Sequence, residues 1–328
     1  MNIFRYFSRL KSRTAHWTTR QLVGWLAVAL STAIATFWAI WGIIENFHEG
    51  WFHQSLLSNI GLMFVQYLSP MIIFVSLTLL AIAFPRIGGA AYALGGITLG
   101  VVLFGWDDPV AMQFVIVPML LLGGLFWYGR PRPRRKAFWL VVGLPVLTLI
   151  ISGVEPVVRI AGRVDDGNLQ TRRVEGNGVR LMWAAEGIGW PLEGVNWDEA
   201  FRRCQNLAED GKTLAESPQN LWRLPTVEEA VRSMSRHGVN SGGVWDGQTK
   251  AATYQIRPDK ESPLWNVHSQ VIYWWTATEI DDEKAYIIVY DGKVWPRRKR
   301  FAPAYLAYRC VKPVERQSRI QTRRSTTV

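Results

Sequence analysis

"LVGWLAVALSTAIATFWAIWGII" (residues 22–44) is a run of 23 residues without a charge. At ~1.5 Å per residue, a helix of that length reaches roughly 34 Å, enough to cross the hydrocarbon core of a bilayer. A basic leader precedes it, carrying Arg5, Arg9, Lys11, Arg13 and Arg20. A cleaved signal peptide is the competing reading. It is disfavoured because such a peptide has a shorter apolar core and a more compact basic region. The run therefore predicts a first membrane helix.

Four further uncharged runs follow, at 60–84, 87–104, 110–128 and 137–154. Pro70, Pro118 and Pro145 lie inside them, and membrane helices tolerate proline better than soluble ones do. Trp25, Trp41, Trp51, Trp106, Trp127 and Trp139 lie near the ends of runs, where indoles anchor helices at the interface. The whole chain of 328 residues is 49% hydrophobic, an average over two unlike halves. Residues 1–155 hold 11 Lys/Arg and 5 Asp/Glu; residues 156–328 hold 26 and 21. The first half reads as an α-helical membrane bundle of about five spans, and the second has the charge density of a soluble domain.

Basic residues orient the bundle. The leader, Arg86 and the "GRPRPRRK" loop (Arg130, Arg132, Arg134, Arg135, Lys136) contain every Lys and Arg of the first half. With five spans and a cytoplasmic N-terminus, all of them fall inside, as the positive-inside rule asks. An odd span count then puts everything after residue 154 outside, in the periplasm of a bacterium whose inner membrane holds the spans. No Asp, Glu, Lys, Arg or His lies within a run, which argues against a proton relay or ion path. Gln66 and Gln113 are expected to hydrogen-bond neighbouring helices. Gly96 and Gly100 form a small-xxx-small pair that serves close packing, within the bundle or between copies in a homo-oligomer. His48 and His53 in "HEGWFH" are too few for a metal site.

The second half has its own grammar. Residues 156–173 are polar and glycine-containing and read as a linker. "VRLMWA" (179–184) alternates as a strand. "NWDEAFRRCQNLAEDG" reads as a helix, with Asn196 as cap, Glu199 as its capping-box partner and Gly211 as its end. "NLWRLPTVEEAVRSM" (220–234) starts a second helix at Thr226, with Glu229 in the capping box. Trp222 and Leu224 are expected to pin the entry loop into the core. Arg223 either faces away or pairs with a carboxylate. Asp291-Gly292 marks a two-residue hairpin turn, and residues 305–312 alternate as a closing strand. The tail, 314–328, is polar and basic and reads as disordered.

The succession "GVRLMWA … VNWDEAFRRCQNL … NLWRLPTVEEA … YWWTATE … AYIIVYDGKV … YRCVK" resembles the C-terminal domain family of the Lcl collagen-like adhesin. The resemblance spans roughly residues 174–313, with Trp222, Arg223, Leu224 and Pro225 matching its WRLP block. It implies an α+β, C-type-lectin-like fold, distantly similar to formylglycine-generating enzymes. It also implies a disulfide between Cys204 and Cys310, a bridge that persists only in an oxidising compartment.

Three functional readings follow. Formylglycine-type oxidation needs a reactive cysteine pair, which a bridge would consume. No other catalytic constellation, metal cluster or cofactor motif stands out; His237 and His268 are isolated. Calcium-dependent sugar motifs are missing. "VWPRRKRF" sets Arg297, Arg298, Lys299 and Arg300 between Trp295 and Phe301, a pattern that suits an anionic glycan, a phosphate or a lipid headgroup. The net charge of +11 is also compatible with nucleic acid, but the outer side argues against that partner. Trp245 and Trp265 lie in loops rich in Gly, Ser and Pro, where they either anchor an envelope protein or cover the core.

Overall fold

The computed structural model describes residues 17–105 and 108–314. The proposed leader and tail therefore lie almost wholly outside the described residues. The chain forms two compact units, Met1–His48 with Leu57–Val158, and Glu49–Leu56 with Arg159–Val328.

The first unit is helical. Helix α1 (Thr19–Glu45) starts at a Thr18–Gln21 capping box and runs into a π-turn at Asn46–Gly50. Then come α2 (Leu56–Leu62), a π-turn at Met63–Tyr67, α3 (Ser69–Ala83), α4 (Pro85–Phe104), α5 (Pro109–Tyr128) and α6 (Arg134–Ala161). Four helices are long and apolar enough to cross a membrane, or five if the α2–α3 pair counts as one span. That pair is bent by 60°, where the sequence predicts a straight run. Pro70 near the start of α3 has no N–H to continue the ladder, and the Leu68 N–H donates back to the Met63 carbonyl at 2.8 Å instead.

Glycine lets α4 and α5 meet closely. A Cβ on Gly96 would stand 2.6 Å from Met119 Cβ, and one on Gly100 2.7 Å from Ile116 Cγ1. The small-residue pair is thus used inside the bundle. Tyr92, fully buried, shares a 2.6 Å hydrogen bond with the Thr78 hydroxyl and donates to the Phe74 carbonyl at 3.2 Å. Its ring stacks on Phe126. Gln66 and Gln113 are exposed on the bundle, and among the described residues neither side chain makes the expected interhelical bond.

The second unit is β-rich with two short helices. Strands β1 (Arg172–Gly176) and β2 (Val179–Trp183) form a hairpin, and β11 (Val311–Pro313) pairs antiparallel with β2. A four-stranded sheet has the order β10 (Leu306–Ala307), β7 (Tyr273–Glu279), β8 (Lys284–Val289), β9 (Val294–Arg298). Two small ribbons complete the strands: β3 (Ser235–Arg236) with β4 (Val239–Asn240), and β5 (Val244–Asp246) with β6 (Ala251–Thr253). Helices α7 (Trp197–Gln205) and α8 (Val227–Ser233) pack on this core. Trp183, Trp222, Trp274 and Trp275 are among its largest fully buried side chains.

Four boundaries differ from the sequence reading. Helix α7 stops at Gln205, with Asn206 as its C-cap, and not at Gly211. The proposed linker begins inside α6, which continues through Pro156 to Ala161. Arg159 in its last turn and Arg163 just beyond it both reach Asp259, at 3.0 and 2.8 Å, so the segment is tied down by charge. The single closing strand is two, β10 and β11, in different sheets. Between them Arg309 turns inward and donates to the carbonyls of Ala184, Pro263 and Leu264. The β8–β9 connection spans Tyr290–Lys293, not two residues, and Asp291 within it takes Lys293 at 2.9 Å and Arg257 at 3.2 Å.

Candidate functional site

The WRLP block is a structural node. Trp222 is buried and its Nε1 donates to the Ala208 carbonyl at 3.0 Å. Leu224 is buried beside it, and the Pro225 carbonyl accepts from Ala277 N at 2.7 Å. The two readings of Arg223 resolve in favour of pairing. Its guanidinium forks onto both Glu229 oxygens at 2.7 and 2.6 Å. Its backbone exchanges two hydrogen bonds with Val311. Thr226 and Glu229 close the capping box in both directions, at 3.2 and 2.9 Å. Burial alone would raise the Glu229 pKa, but Arg223 and the Thr226 N–H outweigh it and hold it below its ordinary value. One carboxylate thus serves a cap, an ion pair and the anchoring of β11.

Cys204 on α7 and Cys310 just before β11 form a disulfide, with Cα atoms 5.6 Å apart and 106 residues between them in sequence. Both sulfurs are therefore engaged, and a reactive thiol pair is not on offer in this state.

Of the loop tryptophans, Trp265 is buried and stacks on Trp274 at 3.7 Å; it covers the core and cannot anchor a partner. Its loop is held by Arg309 at Pro263 and Leu264, and by Arg236, which pairs with Asp259 and Glu261 at 3.0 and 3.3 Å. Trp245 is half-buried, edge-on to Tyr286 at 5.7 Å.

The cationic run divides by strand geometry. Lys299 is taken: it pairs with Glu279 and lies 4.6 Å from the Trp197 ring. Trp295 is half-buried against Tyr273, with Lys293 and Arg297 over its ring. Arg297, Arg298, Arg300 and Phe301 line a cleft of about 850 Å³. Sequence reasoning missed the rest of its wall: Lys250 after β5, Lys284 and Tyr286 on β8, and the apolar Ile280, Val294 and Tyr305. The available signal was the hairpin register, which sets Lys284 opposite Arg298 and Tyr286 opposite Pro296.

Five cations, Lys250, Lys284, Arg297, Arg298 and Arg300, thus surround an aromatic floor. Among the described residues none of their charged nitrogens has a carboxylate oxygen within 4.0 Å, although Asp281 Oδ1 accepts from the Lys284 backbone N–H at 2.7 Å; Lys293, Lys299, Arg202, Arg203 and Arg257 all have an ion-pair partner. Asp198, Asp282 and Glu283 line a smaller neighbouring cleft of about 400 Å³ that shares Arg298 and Arg300. Among the described residues no group of three or more His, Cys, Asp or Glu is placed to hold a metal. Comparisons with family models, curated proteins and solved structures find no match to this chain.

Proposed function

We propose that this chain is an integral membrane protein displaying a non-catalytic recognition domain of C-type-lectin-like fold on the outer side, where its cationic cleft binds an anionic glycan or another anionic envelope component. The observation that carries the reading is the unpaired cation cluster over an aromatic floor. Cations left without carboxylates in a concave site favour an anionic ligand, and the exposed Phe301 ring beside them suits a sugar face. Three further observations support it. The helices are long and apolar enough to span a bilayer. The basic loops of the first half favour a cytoplasmic N-terminus, and five spans then carry Arg159 onward outside. The disulfide fits an oxidising compartment.

The test is a glycan array probed with the full chain in lipid nanodiscs. The reading expects binding to anionic glycans and loss of that binding in the triple variant Arg297→Gln, Arg298→Gln, Arg300→Gln. Binding to neutral glycans alone, or binding indifferent to the triple variant, would contradict it.

A further inference from the structure

The cleft carries its charge and its apolar surface in separate places. Lys284 on β8 and Arg298 on β9 are directly opposite partners in the antiparallel register. Such partners hold their Cβ atoms roughly 5 Å apart, and like charges there destabilise the pair. No carboxylate relieves them within ion-pair distance, and Arg300 lines the same wall. The next register pair on the same face, Tyr286 opposite Pro296, is aromatic and aliphatic. With Val294, Phe301 and Tyr305 it continues the wall as apolar surface. A matching ligand has a compact, multiply charged head and a carrier with an apolar face.

Charge decides among the possible heads. A carboxylate or a sulfate half-ester brings one negative charge and offsets one of the two opposed cations. A phosphomonoester carries about −1.5 to −2 at neutral pH and offsets both, and its oxygens match the arginine fork. The edge position of β9 argues against a docking peptide strand. Its residue 296 is proline, which has no N–H to offer an added strand, so side chains must read the ligand. The acidic groups nearby, Asp198, Asp282 and Glu283, stand beyond ion-pair reach and border the adjoining cleft.

We propose that the cleft is selective for a saccharide phosphomonoester, with the phosphate held between Lys284 and Arg298 beside Arg300 and the sugar face on the exposed Phe301 beside Tyr305. This rests on the anionic-recognition reading above and names its ligand class. The saccharide phosphate can belong to a soluble glycan or to a glycolipid headgroup.

The full chain in nanodiscs tests it by calorimetric titration with glucose 6-phosphate, glucose 6-sulfate, glucuronate and inorganic phosphate. Glucose 6-phosphate is expected to bind about tenfold tighter than the sulfate and the uronate. Lys284→Gln with Arg298→Gln is expected to erase that preference, with the disulfide and circular dichroism spectrum unchanged. Phe301→Ala is expected to weaken glucose 6-phosphate while leaving inorganic phosphate unaffected. Equal binding of the three sugars overturns the phosphate assignment and leaves anion recognition standing; binding of none overturns both. Inorganic phosphate binding as tightly as the sugar phosphate overturns the role of the floor. Nanodiscs with and without a phosphorylated glycolipid then separate the sources, since occupancy by the lipid blocks the soluble sugar.

Discussion

The two units solve the problem of burying polar groups in opposite ways. In the helical unit the hydrogen-bonded polar side chains within the spans find partners on their own or a neighbouring helix, and a contact that runs far in sequence lies at the helix ends, Trp25 Nε1 donating to the Arg132 carbonyl at 3.0 Å. Ser31 and Thr36 donate to carbonyls a turn back, Tyr92 finds Thr78 and Phe74, and glycines give close helix contact. In the β-rich unit polar groups reach far along the chain. Arg309 satisfies carbonyls 45, 46 and 125 residues away, Asp259 gathers three arginines, and one disulfide closes a 106-residue separation. A bilayer offers no water to rescue a distant unpaired group, so local satisfaction is favoured there. A domain in water can fold around a few long-range cross-links, and it becomes dependent on them.

The contrast is broken most directly at the bridge. Replacing Cys204 and Cys310 with Ser should cost the second unit about 4–5 kcal/mol in the chain-entropy model. Denaturant unfolding in detergent, followed by near-ultraviolet circular dichroism, should show that loss while the helical signal of the first unit persists. A smaller effect is expected in the bundle. Gly96→Leu forces a side chain against Met119 and should cost about 1–3 kcal/mol by overpacking, read by unfolding in a denaturing detergent, with sugar phosphate binding unchanged. Next comes Glu229→Ala, which removes a cap and strands Arg223; about 1–2 kcal/mol is expected, all in the second unit.

The smallest effect is a pH slope. Lys260 is buried and its Nζ donates to the Ser269 carbonyl. Burial, aided by Arg163 and opposed by Asp259, pulls its pKa from 10.5 to about 7. Below about pH 7 the folded and unfolded states both carry the proton, and the burial cost is present in full. Above it the folded state sheds the proton and the unfolded state keeps it, so stability should rise with pH towards 10.5. The expected slope is at most about 1.4 kcal/mol per pH unit, the smallest of these effects when read over a single unit. Asp259, held below its ordinary value against the pull of burial by Arg163 and Arg159, stays charged across that window. Lys260→Met should flatten the slope in denaturation curves taken from pH 7 to 10.

The same contrast explains what the sequence made legible. Apolar runs, capping boxes and strand alternation are local signals, and they located the membrane helices, Asn196, Thr226 and β2. The bend before Pro70 and the proline-tolerant end of α6 depend on context that hydropathy averages away. The split of residues 305–312 into β10 and β11 follows from Arg309 seeking distant carbonyls, which alternation cannot report. Half of the candidate cleft was visible as a run of cations. The other half, Lys250, Lys284, Tyr286 and Tyr305, is assembled by pairing between strands, and the choice between the two readings of Trp265 was not legible because its loop is pinned by charges far off in sequence.

Everything functional depends on which side of the membrane the second unit occupies. The most direct measurement fuses either alkaline phosphatase, active only outside the cytoplasm, or green fluorescent protein, fluorescent only within it, to Val328 in a bacterial host. The account predicts an active phosphatase fusion and a dark fluorescent-protein fusion. An inactive phosphatase with a bright fluorescent fusion would contradict it.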